Sequence, residues 1–141
     1  MRATSTFAHV AGGVLVAHGT LGFAVTGVSA TPDAREALLG IGISPLVNLA
    51  HVGLGLALIT ATALGPAWAR TAALVAAAVL ATLGLLGLSG SATGGALDGA
   101  NAGTTTAHLV LAGWATVANL RSTRRQPDQP GGPTAPKPVR R

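Results

Sequence analysis

Four histidines, His9, His18, His51 and His108, all lie inside long apolar stretches of the sequence, and Asn48 stands three residues before His51. An imidazole in such surroundings can hydrogen-bond through either ring nitrogen, relay a proton, or ligate a metal or haem iron. Three of the four share a local pattern: Ala8-His9-Val10 with Gly13, Ala50-His51-Val52 with Gly55, and Ala107-His108-Leu109 with Gly113. Alanine and glycine are common enough in this chain for chance to account for that repetition.

Depth along the helices is more informative. His51 and His108 fall about six and four residues into their helices, which is roughly 6–9 Å from the same side of the membrane at the helical rise. The pair is therefore expected in one layer, with His18 deeper and His9 near the opposite face. Asn48 sits one turn before His51 on the same face, where its amide can bond the imidazole and fix its tautomer. The leading reading of His51, His108, Asn48 and His18 is a polar layer of interhelical hydrogen bonds, each worth about 0.6 kcal/mol on average. A second reading makes His51 and His108 ligands of haem or a metal ion. A third places them in a transporter or channel subunit, whose four short helices would need oligomerisation to enclose a path.

Several chemistries are absent. The chain has no cysteine, which excludes disulfides, thiolate metal sites and cysteine nucleophiles. No carboxylate interrupts an apolar stretch, so a carboxylate-coupled proton or sodium transporter is not indicated. Neither a P-loop, a nucleophile elbow nor a His-Glu-x-x-His zinc motif is present. Ser44, the one serine near His51, is better explained as a helix cap. No catalytic residue is assigned, no cofactor is required, and the chain reads as a non-enzyme.

The elements that must position these side chains follow from composition. At 49% hydrophobic and only 9% charged residues, the chain cannot cover a water-facing surface. Its apolar content is mostly Ala, Gly, Leu and Val, small residues that suit helices packed closely in lipid. A membrane helix needs about 20 apolar residues. Four stretches approach that length: Phe7 to Val28, Pro45 to Leu64, Trp68 to Leu88 and Thr104 to Leu120. The expected fold is all-α, a four-helix transmembrane bundle over residues 1–120.

Breaks between the stretches have their own chemistry. Thr31-Pro32-Asp33 with Glu36, closed by Gly40, predicts a short interfacial helix between the first two spans. Ser44-Pro45 predicts a capped start to the second, Gly65-Pro66 a tight turn, Ser89 to Gly103 a glycine-rich loop, and Thr104-Thr105-Thr106 a cap for the fourth. Glycines 12, 13, 19, 22, 53, 55, 84 and 87 are expected to let backbones approach. The competing reading of the first stretch is a signal peptide ending near Val28-Ser29-Ala30, but its length and two histidines argue against it.

The net charge of +5 is carried by the tail, since six of the nine cationic residues lie at or after Arg121. Residues 121–141, with five prolines and a Gly-Gly pair, read as a disordered basic cytoplasmic tail with affinity for anionic lipid and none for nucleic acid. Arg2, Arg70 and the Arg121-Arg124-Arg125 cluster fall on one side of a four-span arrangement, which places both termini in the cytoplasm. Abundant Ala, Gly and Arg beside a single Lys point to a bacterial source and so to the inner membrane. Partners beyond the bilayer are expected to be further copies of the chain or a larger membrane complex.

The segment Leu39-Gly40-Ile41-Gly42-Ile43-Ser44-Pro45, continuing through Asn48-x-x-His51 to Gly55, resembles the hallmark of a family of small four-span bacterial membrane proteins known only as a domain of unknown function. Gly22-Phe23, Asp98 and His108-Leu109 fit the same pattern, and the resemblance covers roughly residues 5–120. Family members place the acid close before His-Leu, whereas ten residues separate Asp98 from His108 here. The resemblance implies fold and location and supplies no activity.

Overall fold

Residues 2–28, 36–89 and 101–124 are described by a computed structural model. In chain order they form α1 (Arg2–Thr26), β1 (Glu36–Leu38), β2 (Ile41–Ile43), α2 (Pro45–Leu64), α3 (Pro66–Ser89) and α4 (Ala102–Arg124). Three of the helices, α1, α2 and α3, are long and apolar enough to cross a membrane.

Local chemistry sets most of the boundaries. Ser44 holds extended backbone and its hydroxyl accepts from the Val47 amide at 3.3 Å, while Pro45 takes the first helical position of α2. Gly65, at φ 120°, turns the chain directly into Pro66 and α3. The cap of α4 is Asn101, one turn earlier than Thr104-Thr105-Thr106: its Oδ1 accepts from the Thr104 amide at 2.9 Å. The Thr104 hydroxyl is thereby free to donate to the Gly42 carbonyl at 2.9 Å.

Over residues 36–43 the chain is a β-hairpin, in place of the interfacial helix expected there. Glu36 pairs with Ile43 and Leu38 with Ile41, and both turn residues, Leu39 (φ 55°) and Gly40 (φ 78°), have positive φ. This is the signature of a type I′ turn, whose twist matches that of the strands. A glycine at positive φ serves a helix C-terminus and a hairpin turn equally well, so Gly40 alone does not distinguish them. The alternation Ile41-x-Ile43 decides it, with Ile43 fully buried beneath the hairpin. Residues 31–35 of the expected helix and 90–100 of the glycine-rich loop lie outside the described residues.

Cross-helix contacts define an up-down-up-down order. His9 near the start of α1 meets Thr62 near the end of α2 at 3.1 Å, and Thr26 at the end of α1 meets Asn48 near the start of α2 at 3.1 Å. The beginning of α1 and the end of α4 are joined by the Thr4 and Ser122 hydroxyls at 2.7 Å. That contact also corrects the tail boundary. The helix continues through Arg124 because Ser122 is buried against α1, and residues 125–141 lie outside the described residues.

Between the two ends lies an apolar core of Phe7, Ala8, Ala11, Leu15, Leu58, Ala73, Ala76, Ala115 and Ala118. Alanines dominate it, so the helices approach closely and backbone contact replaces side-chain bulk. Gly12 and Gly55 carry the approach of α1 to α2. A Cβ on Gly55 would sit 2.6 Å from the Gly12 carbonyl oxygen, and one on Gly12 would sit 2.9 Å from the Gly55 carbonyl oxygen. Gly84 and Gly87 admit Leu109 and Thr105 of α4 in the same way, whereas Gly13 and Gly53 face open space.

Candidate functional site

At the hairpin end of the bundle three imidazoles stand in series. His18 Nδ1 on α1 lies 3.3 Å from His51 Nδ1 on α2, and His51 Nε2 lies 2.9 Å from His108 Nε2 on α4. The rings meet edge to face, with centroids 5.3 Å and 5.2 Å apart. His51 and His108 are buried and His18 is half-buried. A neutral imidazole has one donor and one acceptor nitrogen. His51 therefore donates across one contact and accepts across the other, and the three tautomers are set together.

His18 is the deepest of the three, but only by about 3 Å. It lies eight residues from the C-terminal end of α1, and His51 and His108 lie six residues into α2 and α4. At the helical rise these are depths of about 12 Å and about 9 Å, a difference that one side chain spans. His9 is apart from the group, at the other end of α1. There its Nδ1 meets the Ser5 carbonyl at 2.9 Å, and its Nε2 the Thr62 hydroxyl.

Asn48 makes a different contact from the one its spacing suggests. Its amide nitrogen donates to the Thr26 hydroxyl, which in turn donates to the Gly22 carbonyl at 3.1 Å, and no bond to His51 forms. The cause is Gly22. With no Cβ there, α1 leaves a slot that the fully buried Asn48 amide fills, and a Cβ at that position would overlap Asn48 Oδ1. Gly19 adds to the slot by lying against the Asn48 carbonyl and Val52. Thr26 is the participant that sequence reasoning missed, although Gly22-x-x-x-Thr26 is a small-residue spacing of the kind found at helix contacts in lipid.

Buried polar side chains form two layers among the described residues. The first contains Asn48, His51, Thr104, Thr105 and His108; the second, at the other end, contains Thr4, Asn119 and Ser122. The apolar core separates them. His18 Nε2, Asn48 Oδ1 and Asn119 Oδ1 are buried without a hydrogen-bond partner.

The imidazoles form a line and do not converge on a point. Among the described residues no group of three or more His, Cys, Asp or Glu side chains is arranged to hold a metal ion. Two metal–nitrogen bonds of ~2 Å in line require nitrogens ~4 Å apart, so the 2.9 Å between His51 and His108 would have to widen by about a third before an iron fitted between them. Asp98 lies outside the described residues.

A family model described as Domain of unknown function (DUF4383) matches residues 5–120. No curated protein and no solved structure matches the chain.

Proposed function

Because the chain belongs to the family described as Domain of unknown function (DUF4383), its role has to be read from its own side chains, and we propose a four-span structural or accessory membrane protein. The observation that carries this reading is the pair of imidazole contacts, 3.3 Å and 2.9 Å, through which His51 links α1 to α4. Such bonds contribute about 0.6 kcal/mol each in lipid and keep helices in register where apolar packing alone is permissive.

The distribution of side chains on α4 supports a fourth span. Five of its polar residues, Thr104, Thr105, His108, Asn119 and Ser122, are buried and Thr106 and Thr116 are exposed, while Val110, Trp114, Val117 and Leu120 are 63%, 39%, 43% and 54% exposed. In water that arrangement is inverted; facing lipid it is the stable one. With four spans, Arg2, Arg70 and Arg121 share one end of the bundle, and the positive-inside rule makes that end cytoplasmic in a bacterial inner membrane. The hairpin and the histidine layer then belong to the outer half.

His51→Leu removes both contacts at once and tests the role of the layer. At about 0.6 kcal/mol for each lost bond, with an added penalty for buried nitrogens left unpaired, the variant is expected to melt at a lower temperature in detergent. An unchanged melting point would count against it. A second reading takes His51 Nε2 and His108 Nε2, which face each other at 2.9 Å, as two imidazoles that would ligate a transition-metal ion once parted by about a third of that distance. A purified sample without stoichiometric metal or a haem Soret band removes that reading.

A further inference from the structure

At the end of the bundle remote from the histidines, α1 and α4 leave an open groove of about 330 Å³ between them. Arg2 and Thr6 line it from α1, and Trp114, Val117 and Arg121 from α4. The two guanidinium-bearing residues belong to different helices and are brought together by the Thr4–Ser122 contact, which lies within two residues of each. Trp114 is seven residues, or about 10 Å, further into the bundle than Arg121. Its indole is fixed as a wall by the fully buried Phe7, whose ring meets it edge to face at 5.2 Å and 88°.

We propose that this groove is a binding site for one anionic glycerophospholipid. The positive charge lies where a headgroup sits, and the apolar wall lies where its acyl chain runs. Arg forms forked, charge-assisted bonds to phosphate oxygens, and basic pockets between helices at the cytoplasmic face suit anionic headgroups. No carboxylate lines the groove to neutralise Arg2 and Arg121. A zwitterionic lipid brings its own ammonium into this positive field and is the poorer ligand. Free phosphate leaves Trp114 and Val117 uncovered. The site is distinct from any attraction of the tail to the membrane surface, because it needs Arg2 and a groove built by two helices. It uses the four-span reading only to set the arginines at headgroup level.

The test uses the full chain with Trp68→Phe, so that Trp114 is the one remaining indole, in nanodiscs of phosphatidylcholine. Phosphatidylglycerol with brominated acyl chains is compared with equally brominated phosphatidylcholine. The expected result is several-fold stronger quenching of Trp114 per mole of the anionic lipid, saturating at a low mole fraction. That excess should disappear in Arg2→Gln/Arg121→Gln and return in part in Arg2→Lys/Arg121→Lys. Equal quenching by the two lipids would overturn the proposal, as would an excess that survives the double glutamine variant, since the tail would then be the attractant. Quenching by neither lipid would overturn the four-span reading and the site with it. Nanodiscs present both faces alike, so an error in which end is cytoplasmic leaves the readout unchanged.

Discussion

Gly55→Ala and Gly53→Ala make the same chemical change two residues apart on α2, and the structure gives them opposite consequences. At Gly53 an added methyl meets nothing within 4 Å. The substitution there gains helix propensity of up to about 1 kcal/mol. At Gly55 the new Cβ would lie 2.6 Å from the Gly12 carbonyl oxygen, whereas ordinary contact begins at 3.4 Å, so α1 and α2 must part by the 0.8 Å difference. The obstacle is backbone and cannot rotate away. Overpacking of this kind costs about 1–3 kcal/mol. His51 is one turn from Gly55, and its 3.3 Å contact with His18 has no slack, so the same displacement breaks the histidine series on the α1 side. Adding the two effects, the sister variants should differ by roughly 2–4 kcal/mol. The assay is reversible unfolding in bicelles by titration with a denaturing detergent, followed by far-ultraviolet circular dichroism. If Gly55→Ala proves as stable as Gly53→Ala, the close crossing of α1 and α2 is refuted, and with it the geometry that brings His18 to His51.

A periplasm-active reporter enzyme fused after Arg124 is expected to be inactive and a cytoplasm-active one to be active; the reverse result would sink the proposed orientation. Leu39 occupies a left-handed conformation at φ 55° while 90% exposed. Leu39→Gly should therefore relieve backbone strain and stabilise the protein by about 1 kcal/mol, and a loss of stability by the same unfolding assay would mean that the leucine side chain is held by something outside the chain.

Much of this architecture is legible in the sequence because the signals are strong and local. Ser44-Pro45 and Gly65-Pro66 mark the limits of α2 where they are found, since a cap and a first-turn proline act within a few residues. Where a local signal serves two structures, reading fails. Gly40 fits a helix end and a hairpin turn alike, and the burial of Ile43 that chooses between them depends on a distant helix. The site shows the same limit. The equal depth of His51 and His108 follows from counting residues. That His18 joins them depends on α1 ending at Thr26, two residues short of the end of its apolar run. The side on which Asn48 finds its bond depends on a missing Cβ at Gly22, which belongs to a different helix.

The most direct test of the polar layer is a measurement of nitrogen-to-nitrogen proximity among the imidazoles in lipid. With nitrogen-15 histidine incorporated, the chain has only four such side chains to assign. Solid-state magnetic resonance should show a correlation between His51 Nε2 and His108 Nε2, at 2.9 Å, and a weaker one between His51 Nδ1 and His18 Nδ1, at 3.3 Å. Both should vanish in His51→Leu. Well-resolved histidine signals with no nitrogen–nitrogen correlation between any pair would contradict the account.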